Sequence, residues 1–386
     1  MTFQFATPPR LVCGAGGLAT LAESARSLLG DRPLVVTDPG IVASGLAERV
    51  LAVLRSAGCV PQVYDAVVAD PPESVVLAAA TQARAGAITG VLGFGGGSAL
   101  DTAKLVALLA TPDARPLAEA YGVNQARGTR LPLALVPTTA GTGSEVTPIA
   151  IVTVGDEEKK GVVSPLLIPD LSLLDAELTL GLPPHVTAAT GVDAMVHAIE
   201  AYTSTSANNN PLSRMLACEA LRKFGASLVR CVEEGGNLAA REEALLGACL
   251  AGQAFANSPV AAVHALAYPL GARFHLPHGL TNALMLPAVL RFNLPAAADA
   301  YAALLPHAFP AVAATGDGAA DAAAFIVAIE ALIERVKLPR RLREVGIGEA
   351  DIDMLASDAM KQTRLLVNNP RAVALADAAA MYRASW

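Results

Sequence analysis

The sequence predicts an α/β half followed by an all-helical half, and three observations carry that expectation. Short apolar runs alternate with helical patterns over roughly the first 180 residues, as parallel strands joined by crossover helices do. Beyond Leu180-Gly-Leu-Pro-Pro184 strand signals stop and only helical periodicity remains. A chain of 386 residues also exceeds what one ordinary core supports, so two domains, 1–180 and 181–386, are expected.

Leu11–Cys13 reads as a strand, Gly14-Ala-Gly-Gly17 as a tight turn and Leu18–Leu29 as a helix. The turn lacks the third glycine of a dinucleotide fingerprint and precedes any convincing buried strand. Pro33–Thr37 is a strand bounded by Asp31 and Asp38-Pro-Gly40. Helix Ser44–Ala57, strand Val60–Tyr64 and helix Glu73–Ala85 follow. Ile88–Phe94 is a strand, and at Gly95-Gly-Gly-Ser-Ala-Leu-Asp-Thr-Ala-Lys104 the period turns helical. Glycines on such a turn let a ligand approach the backbone, and the first helical amides suit a phosphate or pyrophosphate. Taken alone, the same loop also serves as a plain chain reversal. Leu131–Val136 is a buried strand running into Pro137-Thr-Thr-Ala-Gly-Thr-Gly-Ser-Glu145, a loop of hydroxyls and small residues. Pro148–Val154 and Gly161–Val163 read as a hairpin across the polar turn Gly155–Lys160. Both glycine-rich loops fall at carboxyl ends of strands, where open parallel sheets bind nucleotides.

The helical half reads as His185–Thr203, Pro211–Glu234, Ala239–Ala256, Pro259–Ala272, Leu280–Phe292, Ala297–Ala313, Ala319–Val336, Pro339–Glu344, Glu349–Ala359 and Ala372–Ala384. The first of these sets Asp193 and His197 one turn apart on one face, with Val192, Met195, Val196 and Ile199 available to a core. Such a pair makes half of a divalent-metal site, although in isolation it is more often a single Asp–His hydrogen bond. His264 and His278 shift the balance. They lie in apolar, poorly charged stretches, and three of the six histidines would then serve one site.

Hydrophobic residues make up 53% of the chain and charged ones 16%, enough apolar material for a large interior. No charge-free, strongly apolar run of about eighteen residues is flanked by anchors, so no membrane span is expected. The start, Met-Thr-Phe-Gln-Phe-Ala, shows no secretory signal pattern. Five scattered cysteines without a Cys-x-x-Cys pair read as reduced core thiols of a cytoplasmic protein. A net charge of −7 without a Lys/Arg cluster argues against nucleic acid as a partner.

Together, Gly95–Lys104, Pro137–Pro148, Gly191–Tyr202 and Val263–Asn282 resemble, in order, the motifs of the iron-containing (group III) alcohol dehydrogenase family. The superfamily also holds glycerol dehydrogenase and dehydroquinate synthase. The resemblance spans essentially the whole chain and implies a Rossmann-like N-terminal domain, an all-α C-terminal domain and an active site between them. It implies that Asp193, His197, His264 and His278 bind one divalent ion, Fe²⁺ usually and Zn²⁺ in some members. It places Gly96, Gly97, Ser98 and Asp101 around the pyrophosphate and nicotinamide end of the cofactor. Thr138, Thr139, Thr142 and Ser144 would line it, with Lys159 near a ribose. A homodimer acting on a small alcohol or aldehyde is implied as well. Asp38, directly after the second strand, can accept from adenosine ribose hydroxyls and repel a 2′-phosphate, favouring NAD over NADP. As readily, it simply starts the Asp-Pro-Gly turn.

One position departs from the family pattern. Many members carry a relay histidine four residues after the third ligand, and this chain has Tyr268 there. His275 is either a substitute relay or an outer residue. The implied activity is hydride transfer between nicotinamide and a small alcohol, diol or hydroxyacid, with the metal polarising the substrate oxygen. Two rivals stand beside it. A dehydroquinate synthase-like lyase using NAD transiently should need extra basic residues for a phosphate-bearing substrate, and only Arg273 lies near His264. A non-enzymatic dinucleotide-binding protein leaves four metal-type residues without a purpose. Ser144 is not a hydrolase nucleophile, because Val146 stands where the elbow needs glycine.

Overall fold

Six strands of the first half form one parallel sheet: β1 (Leu11–Cys13), β2 (Pro33–Val36), β3 (Gln62–Tyr64), β4 (Gly90–Gly95), β6 (Leu133–Pro137) and β9 (Leu171–Leu174), in the order β1-β9-β6-β4-β2-β3. A second sheet holds β5 (Gly122–Val123), β7 (Ile149–Val154) and β8 (Glu158–Val163), with β7 and β8 antiparallel. The computed structural model describes residues 2–155 and 158–386. Ala6–Gly181 form one compact unit; Leu182–Trp386, joined by the N-terminal stretch up to Phe5, form the other.

Alternation along the central strands builds two apolar layers. Val35, Leu92, Phe94, Ala134 and Val136 pack with α1 (Leu21–Leu29) and α3 (Leu46–Ser56), which follows the short α2 (Pro39–Ala43). Leu34, Val36, Val91, Leu133 and Leu135 face the other way, onto α4 (Glu73–Ala85) and α5 (Gly97–Leu109). With both faces covered, these strands read as continuous apolar runs. The β4–α5 crossover turns at Gly95, whose φ of +152° and close neighbours leave no room for a side chain.

Three differences from the sequence reading bear most on the architecture. β9 lies between β1 and β6, yet its Leu-Ser-Leu-Leu run carries no β-branched residue and is only four long. Its ends are pinned instead by Asp170, which pairs with Arg130, and by Asp175, which accepts from the amides of Gly16 and Leu18. The strand expected from Gly161 already begins at Glu158; Asp156 and Glu157, in the expected turn, lie outside the described residues. The two helices expected over 280–313 are one, running from His278 to Ala308 through Pro287, Pro295 and Pro306. Each proline forfeits a helical hydrogen bond, and the packing of this helix against its neighbours overrides that local cost.

The second unit is helical among the described residues: α6 (Pro184–Thr203), α7 (Pro211–Glu233), α8 (Leu238–Asn257), α9 (Ala262–Phe274), α10 (His278–Ala308), α11 (Gly318–Arg335), α12 (Ile352–Ala359), α13 (Thr363–Leu366) and α14 (Leu375–Ser385). α6 is its centre, packed by α7, α8 and α10 and buried along almost all of 187–201. Val192, Met195, Val196 and Ile199 are each at most 1% exposed. Two glycines permit the close packing. A Cβ on Gly191 would lie 2.4 Å from Leu228 of α7, and one on Gly279 of α10 would lie 2.4 Å from the carbonyl oxygen of Ala189. The first turn of α10 therefore rests on the backbone of α6. Among the described residues no single helix is long and apolar enough to cross a membrane; α8 and α9 meet that test only as a pair bent by 107°.

Candidate active site

Three helices of the second unit bring four side chains together. α6 supplies Asp193 and His197, α9 supplies His264 from its first turn, and α10 opens with His278. One potential ligand atom of each lies within 4.8 Å of the others. Asp193, His197 and His264 are nearly inaccessible, whereas the His278 side chain is 38% exposed, so the cluster has one accessible member. The donors are one carboxylate and three imidazoles, a set that suits Fe²⁺ or Zn²⁺ equally.

Neighbours hold these groups in place. His197 is stacked between Phe255, at 4.4 Å between ring centroids, and His264, at 4.8 Å. Glu200 accepts from His264 Nδ1 at 2.7 Å and from the backbone N–H of Ala261 at 2.9 Å and Val263 at 2.6 Å. That carboxylate satisfies orphan amides where α9 begins and directs the other ring nitrogen of His264 toward the cluster. Asn282 donates to Asp193. Burial alone would raise the Asp193 carboxyl, but His197, His278, His264 and the Asn282 amide outweigh it and hold it below the usual carboxylate range. Glu200, Asn282 and Phe255 were not singled out from the sequence. Glu200 was legible at seven residues from Asp193, and Asn282 at four from His278, both same-face helical spacings.

Tyr268 flanks the cluster, its ring 5.9 Å from His278 and 6.5 Å from His264. His275 is exposed at the end of α9 in a left-handed conformation, with φ of 53°. A cavity of about 250 Å³ lined by Arg291, Glu330, Arg340 and Arg341 lies elsewhere in the helical unit and includes none of the four.

In the α/β unit the three glycines at the end of β4 and the start of α5 each meet a residue singled out from the sequence. A Cβ on Gly95 would lie 3.2 Å from Asp38 Oδ2, one on Gly96 would lie 3.6 Å from Thr139, and one on Gly97 would lie 2.7 Å from Thr142. Thr138 donates its N–H to Gly95 O at 3.0 Å, and Ser98 follows in the first turn of α5. No side chain caps this helix, which leaves its amino end suited to an anion. Asp38 Oδ1 accepts from the Ile41 amide at 3.0 Å and starts α2, while Oδ2 faces the glycine turn.

Asp101 is engaged by protein donors on both oxygens. Oδ1 accepts from Ser144 Oγ at 2.6 Å and lies 3.5 Å from Lys104 Nζ, and Oδ2 accepts from the Ile151 amide at 2.9 Å. It thereby ties α5 to the hydroxyl-rich loop and to β7. Lys104, wholly buried, also donates to Thr147 at 3.0 Å and Ile149 O at 2.6 Å, and burial lowers its pKa. Glu145 is buried beside it. Burial pushes its carboxyl up to about 7, against the opposing pull of its own amide and Lys104. Lys159, on β8, is paired with Asp70 at 2.5 Å.

Comparison with known proteins decides the family. The profile of iron-containing alcohol dehydrogenases matches residues 8–176, and that of the C-terminal part of the Fe-containing alcohol dehydrogenase family matches residues 187–386. The chain belongs to the iron-containing alcohol dehydrogenase family. It is thus an oxidoreductase, a metal-dependent alcohol dehydrogenase or aldehyde reductase. Long-chain-alcohol dehydrogenase 1 of Geobacillus thermodenitrificans is 38% identical, with 98% of this chain and 95% of that protein aligned. The crystal structure of a 1,3-propanediol oxidoreductase superposes with a TM-score of 0.95 at 33% identity, covering 100% of both chains. Sulfoacetaldehyde reductase of Bifidobacterium kashiwanohense, solved in complex with NAD⁺, gives 0.87 at 29% identity, covering 100% of this chain and 98% of that one.

Two predictions follow from these contacts. In Glu200→Gln one amide oxygen replaces an acceptor pair that serves three donors, so metal affinity should fall by about 10–100-fold; an unchanged dissociation constant in competition with a chromophoric chelator would contradict this. For Glu145, a folded-state value above the ordinary 4.5 means that its contribution to stability is full below pH ~4.5. That contribution is lost as pH rises through about 7. Urea unfolding should then show Glu145→Gln gaining on the wild type over this window, by on the order of 3 kcal/mol at most. Parallel pH profiles for the two proteins would refute it.

Proposed function

We propose that this protein is an NAD-dependent dehydrogenase that holds one divalent ion, Fe²⁺ or alternatively Zn²⁺, on Asp193, His197, His264 and His278. The convergence of these four side chains within 4.8 Å carries the reading. An ion held there supplies a Lewis acid for the oxygen of an alcohol or aldehyde. The protein's own share is positioning: a buried carboxylate and two buried imidazoles held by their neighbours, and a fourth ligand, His278, on the accessible side.

For the nicotinamide cofactor, the uncapped amino end of α5 at Gly96, Gly97 and Ser98 would receive the pyrophosphate. Thr138, Thr139 and Thr142 would line it. Asp101 and Ser144 act by fixing the shape of that loop. Asp38 keeps Oδ2 beside the glycine turn, where a carboxylate accepts from ribose hydroxyls and repels a 2′-phosphate, which favours NAD. The relative solved with NAD⁺ supports the same choice. Lys159 joins the cofactor site only by exchanging its Asp70 partner. Tyr268 packs against the histidine rings and orients substrate.

Relatives are named for long-chain alcohols, 1,3-propanediol and sulfoacetaldehyde, so the substrate class proposed here is a primary alcohol or its aldehyde. The lyase reading loses its one basic candidate, because Arg273 is ion-paired with Asp358 at 2.9 Å. The deciding experiment follows NAD reduction across an alcohol panel before chelation, after it, and after Fe²⁺ or Zn²⁺ is returned. Activity should vanish and return with the metal, and His264→Ala should lose metal and turnover together. Full turnover by demonstrably metal-free protein would sink the proposal. In the same assay Asp38→Gly should narrow the preference for NAD over NADP; an unchanged ratio would assign Asp38 to the turn alone.

A further inference from the structure

Asn282 stands one helical turn beyond His278 on α10, so both side chains share a face. Its amide nitrogen lies 2.5 Å from Asp193 Oδ1 and 3.3 Å from Nε2 of both His264 and His278. The residue is fully buried, and its carbonyl oxygen meets no donor among the described residues. An unmet buried amide oxygen is costly, so the orientation is held by what the nitrogen gains. Only the nitrogen, not the oxygen, can serve a carboxylate and imidazole lone pairs together.

Glu200 makes these contacts informative. It takes the proton side of His264 at Nδ1, 2.7 Å away, so Nε2 presents a lone pair toward Asn282. A metal ion bound by His264 uses that same lone pair. One lone pair cannot serve an N–H donor and an ion at once. An ion bound through His278 Nε2, 3.3 Å from the same amide, would need that nitrogen's lone pair likewise, whereas Asp193, with two oxygens, can serve both.

Resting on the reading of the four residues as metal ligands, we infer that Asn282 is the placeholder of the metal site. Its amide keeps Asp193, His264 and His278 converged in metal-free protein and releases both imidazole nitrogens when an ion enters. This makes Asn282 a positioning residue for the apo state, with a consequence of definite sign. An outer residue that orients a ligand for the ion strengthens metal binding, so its loss weakens binding by about 10–100-fold. A residue that merely packs α10 on α6 affects both states alike. A placeholder stabilises the metal-free state selectively, so its removal tightens binding through linkage.

The test uses the full chain as wild type, Asn282→Ala and Asn282→Ser, stripped by chelator and titrated with Zn²⁺ and, for its visible absorption, Co²⁺. Both variants should bind the ion several-fold to about tenfold more tightly than wild type, the loss from the metal-free state of one amide N–H shared between two imidazole nitrogens. Their metal-free forms should also lose more melting temperature than their metal-loaded forms. Should the alanine variant fail to fold, the serine variant decides. Weaker metal binding, or equal losses of melting temperature with an unchanged dissociation constant, would overturn the inference. A wild type that binds no ion would instead overturn the metal-site reading on which it rests.

Discussion

Two carboxylates buried on one face of α6 set the terms for the helical unit. Asp193 and Glu200 are 1% and 4% exposed, inside a bundle rich in alanine and leucine. A buried charge persists only when donors surround it. Glu200 finds them at the amino end of α9, which fixes where that helix starts and which way His264 turns. Asp193 finds one in the Asn282 amide, with the imidazole rings of the cluster around it. The entry of α9 and the first turn of α10 are therefore held by the same chemistry that assembles the ligand set. Gly279 lets α10 approach closely enough for this to happen.

The α/β unit solves a similar problem with a different outcome. Lys104 on α5 is wholly buried, and it is compensated by Asp101, Thr147 and a backbone carbonyl rather than by water. Asp101 in turn holds Ser144 and the start of β7. The outcome is a rigid loop of small residues set beside an uncapped helix end, with Asp38 at the neighbouring strand. On the proposed cofactor reading a phosphate would need backbone amides held still, and this network of side chains braces the loop that carries them.

Much of this was legible in the sequence. The spacing of Asp193 and His197 marked one helix face, and the glycine run after Ile88–Phe94 marked the strand-to-helix turn. Apart from the family resemblance, His264 and His278 could be noticed only as histidines in apolar stretches, because no local spacing links residues on two helices. Glu200 and Asn282 obey helical spacing from known candidates, yet a glutamate on a helix ordinarily faces water, and only the tertiary contact with α9 reveals its partners. β9 escaped because a four-residue leucine run without β-branching looks like any apolar segment. Its place in the sheet depends on Asp170 and Asp175 at its ends. Pro295 fell between the two helices expected over 280–313 and read as a break, since local rules cannot weigh the packing that keeps the helix whole.

The central claim is that one carboxylate and three imidazoles share a single ion. X-ray absorption at the metal edge of protein loaded with one equivalent of Zn²⁺ tests it most directly. The account predicts only nitrogen and oxygen ligands near ~2.0–2.1 Å, with imidazole scattering from three rings. A sulfur shell near ~2.3 Å, or a signal with no imidazole contribution, would contradict it.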